Sequence, residues 1–265
     1  MLAVLACGCD KDSPPKAVPS ASPSTAASAS ASVVSSAVVD AAPPAPVVNP
    51  VLREERTLDV GGVKETWRLE WTSPARPTCM GDESVASCPC APFAYGEVGD
   101  LDLVRLHPGE PEDRMHLGAL FDERDAKLRR WLPTAAEQKA IKAPPLDALQ
   151  TRPRAPIMTF ADYDHDGRAT EFLLAIDALS CGYVQTLVVG IDKHDGKLHA
   201  FGTAEKPGEP LVLNRPGDWD KVKAKVPTEL VETPCGDHAA EVETHVTVTV
   251  DANGLHAAIS TKKCM

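Results

Sequence analysis

The chain is poor in aromatic residues. They make up 5% of its 265 residues, and none occurs before Trp67. A stretch with no aromatics and few large side chains buries too little apolar surface to offset its ordering entropy, so the first 50 residues are excluded from any core. Positive charge is also scarce: 27 Lys and Arg face 38 Asp and Glu, a net charge of -11. That balance argues against a phosphate backbone as partner, and no nucleic-acid binding is expected. No apolar run reaches the roughly 18 residues that a membrane-spanning helix requires. The sequence holds no Gly-x-Ser-x-Gly elbow, no His-Glu-x-x-His, no P-loop and no dinucleotide fingerprint. The usual signatures of nucleophilic hydrolysis, zinc peptidase chemistry and nucleotide binding are therefore missing.

Two residue types are abundant instead, with 24 Pro and 8 Cys. Between residues 13 and 50 only Lys16, Thr25, Asp40 and Asn49 are not Ala, Ser, Pro or Val. Proline pairs such as Pro14-Pro15 and Pro43-Pro44 bias this tract toward extended conformations. As a flexible chain it spans roughly 35 Å. Ahead of it stands Met1-Leu2-Ala3-Val4-Leu5-Ala6-Cys7-Gly8-Cys9-Asp10, a short apolar run ending in small residues and cysteine. This resembles the lipobox of bacterial lipoproteins, although no Lys or Arg precedes the run. The resemblance implies cleavage before a cysteine that carries diacylglycerol. It also implies a cell-envelope location, periplasmic or surface-facing, with the membrane as partner through the anchor. Val4, three places before Cys7, favours Cys7 as the lipidated residue. Cleavage before Cys9 instead leaves an even number of further cysteines. The expected organisation is a lipobox over 1–9, a disordered spacer over 10–50 and one globular domain over 51–265.

The globular part reads as mainly β, with antiparallel sheets in a sandwich or a small propeller-like arrangement and one or two short helices. Strands are expected over 63–71, 102–107 and 156–161. Residues 171–177 form a nearly continuous apolar run, as a central strand covered on both faces requires. With 183–191 and 197–201 it predicts a three-stranded meander. Val242, Val246, Val248 and Val250 alternate with polar residues, Asp251-Ala252-Asn253-Gly254 supplies a turn, and Leu255, Ala257 and Ile259 alternate back, which predicts a hairpin. Thr134 and Glu137 fit a capping box opening a helix that stops before Pro144-Pro145. A second helix is expected over 218–225.

Six cysteines lie in this part: Cys79, Cys88, Cys90, Cys181, Cys235 and Cys264. In an exported chain they predict disulfides. Zinc ligands usually come as close pairs in two places, and only Cys88-Pro89-Cys90 is close here. Cys235 and Cys264 flank the C-terminal hairpin, so one bridge closes that unit. Cys88 and Cys90 are poorly placed to join each other, which leaves Cys79 and Cys181 as partners.

The most informative stretch is Asp162-Tyr163-Asp164-His165-Asp166-Gly167-Arg168-Ala169-Thr170-Glu171. Alternate carboxylates followed by glycine give hard oxygen ligands around a sharp bend. The run resembles the Asp-x-Asp-x-Asp-Gly calcium loops of EF-hands, dockerins and FG-GAP repeats. That resemblance implies calcium held by Asp162, Asp164 and Asp166 through side chains and by Arg168 through its carbonyl. Leu173 stands where an EF-hand has its bidentate Glu, and Thr170 where an FG-GAP loop has its acid, so Glu171 becomes an offset last ligand. Strand-like flanks favour the FG-GAP kind. Asp192-Lys193-His194-Asp195-Gly196 is a weaker echo. The eight histidines are scattered, and nothing near His238 offers a nucleophile. Two functional classes follow. One is a non-catalytic binding module, in one version an inhibitor or immunity protein against an envelope hydrolase. The other is a hydrolase acting on envelope polymers through a carboxylate pair. A purely structural envelope component is a third.

Overall fold

The computed structural model describes residues 49–264 apart from 82–89, 122–124, 133, 141–143, 180–182, 204–205 and 207–208. The lipobox with Cys7 and Cys9, the spacer up to residue 48, Cys88 and Cys181 lie outside the described residues. The fold is mainly antiparallel β, in four small sheets among the described residues. The first has the order β1 (Val51–Val60), β2 (Val63–Trp71), β5 (Leu101–Leu106), β6 (Asp113–His116). The second has the order β3 (Arg76–Thr78), β4 (Gly96–Gly99), β7 (Ala126–Arg129). The third is the meander β10 (Leu198–Ala200), β9 (Val184–Ile191), β8 (Phe172–Ala178). The fourth is β11 (Thr228–Thr233), β12 (Val242–Asp251), β13 (Gly254–Lys263).

The meander lies at the centre because its strands are apolar on both faces. Phe172, Leu174, Leu187 and Val189 join one core with Trp67, Leu69, Trp71, Leu101 and Leu103 of the first sheet. Val188 and, less deeply, Leu173 face a second core with Trp219, Val222, Leu230, Val246 and Val248. The continuous apolar run expected of a doubly covered strand is thus the run that is doubly covered. Burying a large apolar side chain contributes about 1.5–3 kcal/mol, which makes these two layers the main stabilising contacts.

Three short helices are described: α1 (Ala135–Ala140), α2 (Leu146–Gln150) and α3 (Pro216–Ala224). The capping box forms as expected: Glu137 N donates to Thr134 Oγ1 at 3.2 Å and Thr134 N to Glu137 Oε2 at 2.8 Å. Arg152 clamps the same carboxylate, and its hydrogen bonds, with Thr134 assisting, hold Glu137 down to about 2. Among the described residues no helix is long and apolar enough to cross a membrane.

Among the described residues two disulfides are formed, Cys79–Cys90 and Cys235–Cys264. The second closes the β12–β13 hairpin unit, as expected. That hairpin has Asp251 opposite Gly254 across a two-residue turn. The expected strand over 156–161 is a correction. Pro156 has no N–H to give a ladder, Thr159 N bonds locally to the Ile157 carbonyl at 2.8 Å, and only Ala161 bridges, to Glu171. β1, β6, β11 and the whole β3-β4-β7 sheet were not foreseen.

Candidate metal centre

The acidic loop hangs between the central sheet and α3. Its neck is closed by two backbone bonds, Ala161 N to Glu171 O at 2.8 Å and Glu171 N to Ala161 O at 3.2 Å. The bend comes from two left-handed residues, His165 (φ +54°) and Gly167 (φ +86°). Glycine adopts that region without steric cost. Asp162 then caps the turn, accepting Asp166 N and Gly167 N at 3.0 Å each.

One oxygen from each of Asp162, Asp164 and Glu171 comes within 4.8 Å of the others. Among the described residues this is the one cluster of three such donors. Asp164 and Glu171 are each 1% exposed. Asp166, expected as a ligand, is absent from the cluster. Its Oδ1 accepts Arg168 N at 2.7 Å and its Oδ2 lies 3.8 Å from Arg168 Nε. The reason is the bend itself: with Gly167 turning the chain, Asp166 caps Arg168, two residues on, instead of facing inward. Glu171, one place past the usual ligand position, does face inward. As the closing residue of the neck it is carried back over the loop by the strand that follows.

Burial pushes the Glu171 carboxyl up to about 8, with the Asp164 and Asp166 charges adding and the Thr170 hydroxyl and Tyr163 N–H opposing. Its Oε2 accepts Tyr163 N at 2.9 Å and its Oε1 accepts the Thr170 hydroxyl. Burial likewise raises Asp164, and Asp166 adds to it, while Lys193 opposes. The Lys193 ammonium sits 3.2 Å from both Asp164 Oδ2 and the Asp164 carbonyl. Three carboxylates against one ammonium leave two formal negative charges in the buried cluster.

The loop is anchored on every side. His165 Nε2 donates to the Val222 carbonyl of α3 at 2.8 Å. Tyr163 packs edge-on against Trp219 with centroids 6.1 Å apart. Glu171 lies over Gly190 of β9, where an added Cβ would meet Glu171 Cγ at 2.6 Å. Lys193 comes from the β9–β10 turn, the segment whose sequence faintly echoes the acidic loop. That turn is held in place by Arg105, which donates to Gly196 O at 2.6 Å while gripping Glu65 with two further bonds. Burial pushes Glu65 up, yet the Arg105 bonds and charge prevail and keep it below its ordinary value.

Beside the loop opens a cleft of about 420 Å³ with Arg105, Asp166, Arg168, Asp192 and Lys193 in its wall. A second cleft, of about 350 Å³, gathers His194, His199 and His256, three of the histidines that look scattered in the sequence. Their convergence depends on the β9–β10 and β12–β13 turns meeting, which no local spacing reveals. Comparisons with protein-family models, with curated proteins and with solved structures returned no match.

The donors are all hard oxygens, two of them buried, and they leave a charge that a divalent cation would balance. That set fits calcium better than a thiolate- or imidazole-seeking metal. Asp162, Asp164 and Glu171 would hold the ion, and its charge would offset the burial and the neighbouring carboxylates that push the Glu171 carboxyl up.

Proposed function

We propose that this chain is a lipid-anchored protein of the bacterial cell envelope whose calcium-stabilised, disulfide-bonded β domain works as a non-catalytic binding module. The metal reading is carried by the burial of Asp164 and Glu171 around a shared point with only Lys193 as counter-charge. Burying like charges is costly without a compensating cation. Its test is thermal unfolding against free calcium. Binding to the folded state alone stabilises by about 2.7 kcal/mol at 100 times the dissociation constant. The midpoint should rise with calcium and return with chelator. Asp164→Ala should remove most of the rise and Glu171→Gln a large part. An unchanged midpoint, with no heat of binding on titration, overturns the metal reading.

The anchor reading is supported by the Cys7-Gly8-Cys9 cluster ahead of an Ala, Ser, Pro and Val tract. Mass spectrometry of the mature N-terminus should find a diacylglyceryl cysteine, at Cys7 or Cys9. An unmodified N-terminus in the soluble fraction counts against it. A partner in the envelope follows from that location, and an inhibitor of an envelope hydrolase is its concrete form. The rival reading, a hydrolase using a carboxylate pair, has one geometric support: Asp166 and Asp192 both face the cleft beside the loop. It expects degradation of cell-wall polymer by the wild type and its loss in Asp166→Asn or Asp192→Asn. The binding reading expects no degradation by any of the three.

A further inference from the structure

One face of the domain is basic, in a chain whose net charge is -11. It forms where the edge strand β1 meets the end of β7 and the segment 154–157. Arg53, the extra residue of the β1 bulge, donates to the Arg129 carbonyl at 3.1 Å and the Ala155 carbonyl at 3.0 Å. Ala155 N donates to the Arg130 carbonyl at 2.7 Å, and Arg154 Nη1 to the Arg53 carbonyl at 3.3 Å. Ile157 N donates to Glu54 Oε2 at 2.8 Å, while Glu54 Oε1 lies 2.7 Å from Arg56 Nη2. Glu97 sits between Arg53 and Arg130. Four arginines thus surround two glutamates.

Burial decides which sign reaches the surface. The Glu54 and Glu97 side chains are 6% and 4% exposed, and Arg53 is buried with them. The Arg56 side chain is 43% exposed and that of Arg130 31%. Arg154 is exposed as well, and its partner is a carbonyl, not a carboxylate. Guanidinium groups therefore face water, with the compensating acids beneath them. Apolar side chains flank them. Leu132, two places after Arg130, is strongly exposed, and so are Val51 and Leu52 at the start of β1. The described domain also begins here, since Asn49 and Pro50 lead directly into β1.

We propose that this face, with Arg56, Arg130 and Arg154 among Val51, Leu52 and Leu132, rests on an anionic phospholipid surface and sets the orientation of the tethered domain. The proposal rests on the anchor reading given above. Guanidinium pairs bidentately with phosphate, and apolar side chains beside it enter the headgroup layer. The spacer over 10–50 joins the domain at this face, and as a flexible chain it reaches roughly 35 Å. Tethering at that range raises the effective concentration of lipid, so a weak contact is enough. The acidic remainder of the domain is repelled by the same surface, which leaves this orientation as the attractive one. Each basic residue near an anionic surface changes occupancy roughly fivefold, so three together give roughly a hundredfold preference at low salt.

Amide hydrogen exchange tests this on the full chain, held by an N-terminal hexahistidine tag on vesicles that contain a nickel-chelating lipid. Tethering then does not depend on lipidation, and mass spectrometry of the mature N-terminus decides the anchor reading separately. On vesicles of equal parts phosphatidylcholine and phosphatidylglycerol, exchange over 51–56, 130–132 and 154–157 should slow several-fold relative to phosphatidylcholine alone. Added salt should remove the difference, because the attraction is screened. The triple change Arg56→Gln, Arg130→Gln, Arg154→Gln should remove it too. Where that variant does not fold, Arg154→Glu alone should reduce the slowing. Equal exchange on the two vesicle types, or slowing that survives the arginine changes, overturns the proposal. Protection of the same residues by a soluble polyglutamate peptide, with none from phosphatidylglycerol, overturns it in favour of an acidic protein partner.

Discussion

Glu171 works at the candidate centre only because residue 190 of the neighbouring strand has no side chain. Gly190 sits in β9, and a Cβ there would lie 2.6 Å from Glu171 Cγ and 3.1 Å from its Cα. The second contact is with backbone, which cannot step aside as a side-chain tip can. Gly190→Ala should therefore displace the neck of the loop, costing about 1–3 kcal/mol as overpacking does. It should also weaken calcium binding by moving Glu171 out of register with Asp162 and Asp164. Paired melting curves with and without calcium check both effects. A variant that loses stability but keeps the full calcium shift would show that Glu171 is not in the shell. At this scale the sequence was partly legible. The Asp-x-Asp-x-Asp-Gly run located the site, and the offset Glu171 could be suspected. Spacing could not reveal that Asp166 turns away to cap Arg168, or that Lys193 brings an ammonium from 29 positions downstream to Asp164 Oδ2. Both follow from how the bend at Gly167 and the β9–β10 turn meet.

Among the elements, the legible ones have a period that one environment imposes. The β12–β13 hairpin alternates because one face is wet, and β8 with β9 is apolar over most of its length because both faces are covered there. β1 was illegible because its middle reads Arg53-Glu54-Glu55-Arg56. Arg53 is nonetheless buried, since a bulge between Leu52 and Glu54 brings it inward. There it pairs with Glu97 and donates to the Arg129 and Ala155 carbonyls. Charges that are satisfied only by distant segments look like surface in a sequence. The two disulfides offer a test at the same scale. They close segments of different length, with separations of 11 and 29 residues. Loop-closure entropy then predicts a loss of about 3–4 kcal/mol for the paired Cys235→Ser and Cys264→Ser change. The paired Cys79→Ser and Cys90→Ser change should cost about 0.8 kcal/mol less by the same relation. Urea unfolding of the two double variants gives the comparison. A larger loss at the shorter bridge would place the effect in native contacts instead of the unfolded chain.

For the molecule as a whole, the acidic loop touches all the parts that must stay together on one side of the central sheet. Its neck continues into β8, its counter-charge comes from the β9–β10 turn, and His165 with Tyr163 fastens it to α3. α3 in turn carries Trp219 and Val222 into the core shared with β11, β12 and β13. The β3-β4-β7 sheet contributes its Ala126 and Leu128 to the other core. Calcium binding should therefore tighten one half of the fold more than the other. Amide hydrogen exchange in calcium and in chelator should show slower exchange over the loop, α3 and residues 192–197 when calcium is present. Exchange in β3, β4 and β7 should change little. The difference arises because local opening requires breaking the contacts an element makes, and only the first group includes contacts to the loop. His165→Ala removes the bond to the Val222 carbonyl while leaving all three carboxylates in place. In that variant calcium should still slow exchange within the loop, and its effect on α3 should shrink. Uniform protection of every sheet by calcium, unaltered by His165→Ala, would mean that the ion stabilises the fold only as a single cooperative unit, without using α3 as its contact to the C-terminal sheet.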